Sequence, residues 1–461
     1  MMYSLQKILL GNLVAAFAST VFASGYNVGG QSISVMSTAD ASAAEAADAG
    51  TIFYNPAGLS YLNNMQISGN VLLARPNARY YDAQANYPAY AGGGPVGGNS
   101  SGKIADQWKM IPHAYFAYPI NENITAGLGI YVPFGTSTEY DHQSVNRYAI
   151  NRTELQTLAI NPSIAFKIHP QHSIGIGLIA QHADAKLRKY ANFSPALSRA
   201  SGSRIPNGLA DGFAEIDADD WGFGFNLGWM WDVNEQTRLG LSYRSSIKHT
   251  LKGQANWSLE GPAFANPLAV AGVRAKGYAA EEGVSGKIAT PESISLHGMY
   301  QANPQLDLFA NVTWTRHSRF NELDITFENK KTVVGGETEI SRISPHWKDT
   351  WRIGLGGSYQ ISEPLQLRAG IAWDQAPIRD VEHRLVTMPD NDRFWLSLGA
   401  KYDLNDKSSI NLGYSYVTVK DSEAKFSGCS INPCVDSGVI GSSKFKADSH
   451  FIGLQYTHRF E

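Results

Sequence analysis

Apolar residues fall at every second position in segment after segment of this chain, with polar residues or glycine between them. Leu365-Gln366-Leu367-Arg368-Ala369-Gly370-Ile371-Ala372-Trp373 is the plainest run. The same step recurs in Ile410-Asn411-Leu412-Gly413-Tyr414-Ser415-Tyr416, Trp351-Arg352-Ile353-Gly354-Leu355, Leu239-Gly240-Leu241-Ser242-Tyr243 and Ile452-Gly453-Leu454-Gln455-Tyr456. A period of two places all the apolar side chains of a segment on one face of a β-strand. Read this way, the pattern predicts fourteen strands: 65–75, 108–118, 124–133, 155–168, 172–187, 219–232, 236–249, 291–302, 305–318, 347–360, 365–377, 392–403, 408–419 and 446–460.

The connections decide between a soluble sandwich and a membrane barrel. Short turns at His169-Pro170-Gln171, Val233-Asn234-Glu235, Asn303-Pro304, Ser362-Glu363-Pro364 and Asn405-Asp406 alternate with loops of about a dozen to forty residues. Outer-membrane barrels join their strands in this asymmetric way, whereas a sandwich has no reason to gather its long loops at one end. An even strand number also brings both chain ends to one side. The expected fold is all-β, a fourteen-stranded antiparallel transmembrane barrel over residues 63–461.

A wall this wide cannot fill its interior with its own side chains. Residues 24–62, rich in Ala, Gly and Ser, are therefore expected to form an N-terminal hatch inside the lumen. Before them, Lys7, the apolar run 8–18 and the small-residue site ending at Ala23 make residues 1–23 a secretory signal, too short to span a bilayer. No later stretch approaches the roughly 20 apolar residues of a transmembrane helix. Tyr243, Trp314, Trp347, Trp351, Tyr359, Trp373, Phe394, Trp395 and Tyr402 sit near strand ends, as an interfacial girdle requires, with core packing as the alternative. Ile452, Leu454, Tyr456 and Phe460 share one parity, a pattern similar to the C-terminal signal read by the barrel assembly machinery, although Glu461 follows the usual terminal aromatic.

Composition narrows the function classes. Of 461 residues, 44 are glycine, 11% are aromatic and only 17% are charged, with a net charge of -3. A soluble domain of this size is usually richer in charge, and no basic face exists for nucleic acid. Cys429 and Cys434 suit a small local disulfide in an exported loop, two free thiols being the alternative. Gly98-Asn99-Ser100-Ser101-Gly102 has the letters of a hydrolase nucleophile motif without the strand and helix that motif needs, leaving an outer-membrane lipase a remote reading. Gly175-Ile176-Gly177 and Gly222-Phe223-Gly224 lie in alternating strands rather than at a dinucleotide-binding turn. Asp217, Asp219 and Asp220 lack the other ligands of a calcium loop, and no grouping has metal-ligand spacing, so no metal, no cofactor and no enzymatic activity are expected.

Two features carry chemistry of another kind. Pro133, followed by Phe134 and Gly135, interrupts an otherwise regular strand, and proline cannot donate to a ladder. It either opens a gap facing the lumen or ends the strand at the outer rim. The loops at 188–218 and 250–290 carry Phe193, Leu197, Leu209, Phe213, Trp257, Leu259 and Phe264, which suggest an exposed capture surface or, alternatively, internal loop packing.

Asn55-Pro56-Ala57-Gly58-Leu59, Asp220-Trp221-Gly222-Phe223-Gly224, Tyr243-Arg244-Ser245, Lys348-Asp349-Thr350-Trp351-Arg352 and Pro389-Asp390-Asn391-Asp392-Arg393-Phe394-Trp395-Leu396-Ser397 together resemble the FadL/TodX family of outer-membrane transporters, from about Ser24 to Phe460. The resemblance implies a hatch carrying Asn55, Pro56 and Ala57, passive transport of hydrophobic molecules, and a lateral exit where the third strand kinks at Pro133, Phe134 and Gly135. It implies ligand gathering between the two long loops and a mature N-terminus, around Tyr26, that enters the binding pocket. It maps carboxylate binding onto Lys189 and Lys348. Strand parity sends both inward and leaves Arg188 outward as a rim charge, the alternative for the lysines being lumen residues that balance acids. The implied cargo is long-chain fatty acid, with neutral monoaromatic hydrocarbons as the alternative and a general porin as a third option. The implied surroundings are outer-membrane lipid and lipopolysaccharide in a Gram-negative outer membrane.

Overall fold

The computed structural model describes residues 25–429 and 431–460. The expected secretory signal over residues 1–23, together with Ser24, Ser430 and Glu461, lies outside the described residues. The chain opens with short helical turns at Ile33–Met36, Ser42–Glu45, Thr51–Tyr54 and Pro56–Tyr61. Strands follow as β1 (Gln66–Asn86), β2 (Gly102–Ala105), β3 (Lys109–Asn121), β4 (Ile124–Tyr131), β5 (Gly135–Glu139), β6 (Arg152–His169) and β7 (His172–Asn192). Next come β8 (Asp211–Asp232), β9 (Thr237–Arg244), β10 (Ile247–Leu259), β11 (Glu281–Thr290), β12 (Ser293–Asn303), β13 (Leu306–Thr315) and β14 (Leu323–Val333). The last are β15 (Gly336–Ile343), β16 (Thr350–Ser362), β17 (Leu365–Asp374), β18 (Arg393–Asn405), β19 (Ser408–Ser427) and β20 (Ile440–Arg459).

Fourteen of these close an antiparallel barrel in the order β1, β3, β4, β6, β7, β8, β9, β12, β13, β16, β17, β18, β19, β20 and back to β1. Closure satisfies every edge, as a sheet in lipid must. The others extend the wall: β2 pairs with upper β1, β5 resumes the course of β4 beside β6, and β10, β11, β14 and β15 prolong their neighbours outward. Ile67, Val71 and Leu73 of β1 and Ile452, Leu454 and Tyr456 of β20 stand exposed on the outer face, while Asn70, Gln455 and Thr457 point inward.

Several strands are far longer than their sequence pattern indicates. β8 has 22 residues, about 70 Å at 3.3 Å per residue, where a bilayer needs about 9–11. Above the lipid band the outer face changes from apolar to charged, as at Arg75 and Arg79 on β1 and Lys444 and Lys446 on β20, so the apolar alternation stops before the strand does. The aromatic girdle also needs correction. Trp351, Tyr359, Trp373, Phe394 and Tyr402 are exposed, and Tyr243 and Trp314 half-buried, but Trp347 and Trp395 are 0% and 3% exposed. Trp395 lies between outward Phe394 and Leu396, so the pleat turns it into the lumen, where it stacks on Phe451 at 5.6 Å.

Residues 25–62 pack against the inward faces of the wall and are largely buried. Asn55 starts the last turn, its Oδ1 accepting from Ala57 N at 3.0 Å with Pro56 at the first helical position. The approach to the wall is so close that a methyl group at Gly228 would overlap Asn55 Oδ1, and one at Gly175 would overlap the Pro56–Ala57 peptide. Charges complete the attachment: Arg368 donates two 2.6 Å bonds to Glu45, Arg352 meets Asp40 at 3.2 Å, and Gln455 donates to Asp48 at 2.8 Å. Each buried charge named here has an opposite charge or a donor beside it, as desolvation demands.

Candidate functional site: a path through the barrel

The wall breaks where the sequence places Pro133. β4 ends at Tyr131 and the strand resumes as β5, both beside β6, so Pro133 interrupts a strand rather than ending one. The segment 26–28 covers the break from inside: Val28 N donates to Pro133 O at 2.9 Å, Gly135 N donates to Tyr26 O at 2.8 Å, and Asn27 bridges Phe134. Gln31 Nε2 donates to Val132 O at 2.7 Å, and Thr157 Oγ1 accepts from Phe134 N at 3.0 Å. The polar groups that proline frees are thus taken up by the N-terminal segment and by β6, which is how irregular backbone survives at membrane depth.

Tyr26 sits in an aromatic cage. Its ring stacks on Trp347 at 5.5 Å and meets Phe134 edge-on at 5.6 Å and Phe320 at 6.2 Å. Burial pushes its hydroxyl well above the usual tyrosine range, so the group stays neutral, donating to Ala289 O at 3.3 Å. The chain just before it is pinned by Gly25 N donating to Asp390 Oδ2 at 2.9 Å, and Asp390 in turn meets Arg393 at 2.5 Å. Burial pushes the Asp390 carboxyl up, against the pull of Arg393.

Above Tyr26 lies a cavity of about 90 Å³ lined by Leu155, Leu187, Ile216, Leu251, Val284, Ile288, Phe320, Ile325 and Met388, with Tyr26 itself and no lysine or arginine in the lining. Glu154 is in the same lining and is paired with Arg152 at 2.8 Å. Outward from it, sharing Leu187, Ile216 and Ile325, is a smaller cavity of about 20 Å³ that includes Lys189, Trp257, Val435 and Asp436. Outside that, sharing Ala191, Val435 and Asp436, an open groove of about 830 Å³ is lined by Tyr90, Phe193, Arg199, Tyr278 and Val334 among others. On the other side of Tyr26, a cavity of about 160 Å³ with a mixed polar and apolar lining is bounded by Asn27, Pro133, Phe134, Arg244, Arg352 and Asp374 among others. These four spaces form a series from the outer groove to the hatch.

The sequence-derived residues distribute unevenly along this series. Lys189 faces inward, on the same parity as Leu187, and its ammonium lies 2.7 Å from Asp436 Oδ1. Lys348 does not reach the cavities: it lies in the coil before β16, outside the strand whose parity was used to orient it, and Trp347 is the residue that turns inward. Arg188 faces outward but is no rim charge. The loop after β5 covers it, and it donates to Glu215 at 2.8 Å and Glu139 at 2.9 Å. The apolar residues of the long loops are mostly not exposed. Phe193, Leu197, Phe213 and Trp257 are buried and Phe264 and Leu259 partly so, leaving Leu209 alone at the surface. They pack on one another because the strands continue to Asn192 and Leu259, so these positions belong to a second core above the membrane. Buried Lys331, held at 2.5 Å from Glu282, which also accepts from Trp257 Nε1 at 2.8 Å, braces that core.

Asn55 is wholly buried, its Nδ2 facing Trp229 O at 3.1 Å, Leu241 O at 3.3 Å and His297 Nε2 at 2.8 Å. Cys429 and Cys434 are disulfide-bonded, with Cα atoms 5.8 Å apart. Ser100 lies exposed in the loop between β1 and β2, without the strand-to-helix turn of a nucleophile elbow. No group of three metal-ligating side chains gathers among the described residues. The apolar lumen residues were missed in the sequence; the readable signal was an apolar residue at inward parity, as at Ala185 and Leu187.

A closed barrel facing lipid with apolar side chains, filled by its own N-terminal segment and threaded by cavities whose lining turns from mixed to apolar, defines a membrane transporter of hydrophobic compounds. Comparison with known proteins agrees. The chain belongs to the outer membrane protein transport protein family (OMPP1/FadL/TodX), whose model matches residues 14–460, and is an outer-membrane protein. It is 46% identical over 464 residues to outer membrane protein NMB0088 of Neisseria meningitidis, covering 98% of both chains. It is 28% identical to the long-chain fatty acid transport protein of Escherichia coli K12, over 89% of this chain and 91% of that one. In fold it is similar to a Pseudomonas aeruginosa FadL homologue, with a TM-score of 0.84 at 23% identity over 95% of this chain and 100% of that one. It is also similar to the Pseudomonas putida toluene transporter TodX, with a TM-score of 0.64 at 15% identity over 90% of this chain and 94% of that one.

Proposed function

We propose that this protein takes up long-chain fatty acids passively, without enzymatic chemistry. Cargo collects in the outer groove, passes Lys189 into the apolar cavity above Tyr26, and leaves sideways into the membrane where the strand breaks at Pro133, Phe134 and Gly135. The observation that carries this reading is the apolar lumen cavity with one inward lysine at its outer end. A carboxylate is costly to strip of water unless a cation meets it, and Lys189 is the cation at the mouth of the cavity. Asp436 occupies that ammonium now, so an entering carboxylate takes the place of one already there. The E. coli relative named a long-chain fatty acid transport protein supports the same cargo.

On this reading residues 25–62 act as the hatch that closes the lumen to water-filled passage, with Asn55, Pro56 and Ala57 as its anchor. Recognition of β20 by the assembly machinery, and contact of the outer wall with lipid and lipopolysaccharide, belong to the same proposal. A second reading, neutral cargo such as monoaromatic hydrocarbons, draws support from the absence of any cation in the cavity lining itself. Uptake of oleate and toluene by cells carrying wild type or Lys189→Ala separates the two. Fatty-acid transport predicts that oleate uptake falls about tenfold, the worth of one charge-assisted bond, with toluene unaffected; indifference of oleate to the change favours neutral cargo.

A further inference from the structure

The cavity beyond Tyr26 contains a cation that the entry path does not use. Arg244 ends β9, lines that cavity together with Pro133 and Phe134, and is half-buried. Its Nη2 donates to Phe53 O at 2.6 Å and its Nη1 to Tyr131 Oη at 3.0 Å. The guanidinium also lies over the rings of Phe53, at 4.3 Å, and Tyr131, at 5.6 Å. Among the described residues no carboxylate lies within ion-pair reach of it. The other arginine of this cavity, Arg352, is by contrast already matched to Asp40 at 3.2 Å.

The two acceptors of Arg244 come from the two parts that must separate if the wall is to open. Phe53 belongs to the hatch, two residues before Asn55, and Tyr131 is the last residue of β4 before the break at Pro133. One side chain therefore ties the hatch to the kinked strand, and it does so through neutral acceptors. A guanidinium binds a carboxylate more strongly than it binds a carbonyl or a hydroxyl, and its planar fork suits both oxygens at once.

We propose that Arg244 is a second carboxylate-binding site, at the inner end of the path. There the cargo carboxylate takes over the donors now given to Phe53 O and Tyr131 Oη, and so releases the hatch from the kinked strand. The chemical class bound is an aliphatic monocarboxylate, its tail lying towards Phe134. The inference rests on the fatty-acid reading of the transporter but makes a separate claim, that the carboxylate acts at the exit as well as at the entrance.

The test compares initial uptake of oleate with that of oleyl alcohol, which shares the chain and lacks the charge, in cells carrying wild type, Arg244→Met, Arg244→Lys and Lys189→Met at matched outer-membrane levels. The expected result is an oleate-to-alcohol ratio about tenfold lower in Arg244→Met than in wild type, partly regained in Arg244→Lys, with alcohol uptake rising in Arg244→Met because the tie between hatch and strand is already gone. An Arg244→Met protein that lowers both cargoes equally has lost a structural tie, and the site is overturned. A ratio unchanged in Arg244→Met but collapsed in Lys189→Met overturns the exit site and leaves the fatty-acid reading intact. A wild type that shows no preference for oleate, with neither variant altering the ratio, overturns both.

Discussion

The N-terminal segment is held at two ends by different physics. At Asn55–Leu62 the attachment is side chain to wall: one buried amide faces carbonyls of β8 and β9 and the ring of His297, and the fit is so close that two wall positions must be glycine. At Gly25–Gln31 the attachment is chiefly main chain to a broken strand, together with an aromatic ring packed against Trp347 and the floor of an apolar cavity. The first kind leaves unpaired buried groups behind when it is lost, which costs about 1–3 kcal/mol for each group. The second kind can be exchanged in its apolar part, because a hydrophobic ligand in the cavity can replace the ring contacts of Tyr26. On the proposed reading, residues 25–62 are thus pinned below and exchangeable above in their ring contacts.

Making the upper end as permanent as the lower is expected to have the largest effect. Asn27 and Phe134 face one another across the bridge over the break. An Asn27→Cys/Phe134→Cys disulfide should reduce oleate uptake to the level of cells lacking the protein, with recovery on adding reductant and no such response in either single variant. Uptake that continues through the oxidised form would remove the break from the route.

Making the lower end as weak as the upper comes next. Asn55→Ala deletes the amide and leaves His297 Nε2 and the Trp229 and Leu241 carbonyls facing a void, weakening hatch docking by about 3 kcal/mol, or about a hundredfold in its closed-to-open ratio. Proteoliposomes carrying this variant should swell in small sugars where wild type does not. Equal swelling would mean that the anchor is redundant with Arg368–Glu45 and its neighbours.

The smallest effect tests the upper end alone. Tyr26→Ala removes one ring from the cage, and such ring pairs are worth about 0.5–1.5 kcal/mol each, so a medium-chain fatty acid no longer has to displace them and its dissociation constant should fall about fivefold. Thermal stability in detergent should barely move, since the wall and the Asn55 anchor are untouched. A large fall in stability would place Tyr26 with the pinned end.

The barrel itself was readable because lipid imposes a strict rule, that every outward position in the bilayer be apolar, and the short turns at Asn303-Pro304 and Asn405-Asp406 marked its inner end. Strand height was not readable, because above the bilayer the outer face obeys no such rule and positions such as Arg79 and Lys446 break the rhythm while the ladder continues. The faces of Phe394 and Trp395 were available from parity, since neighbouring residues of a strand cannot both meet lipid. Lys348 could not be oriented in this way, because parity was extended into a coil, where it has no meaning. The burial of Phe193 and Trp257 depends on which loops meet above the membrane, a long-range fact that local patterning does not contain.

The pair that completes the barrel joins the first strand to the last, from Gln66 beside Arg459 to Asn86 beside Ile440. Nearly four hundred residues separate the partners at the inner end of that contact, so it is the slowest to find by chain diffusion and depends on every strand between already being in line. The segment 25–62 runs straight into the first strand at that inner end, so its own chain tethers it to the seam where the cylinder shuts, and the interior is filled from the same place at which the wall is sealed.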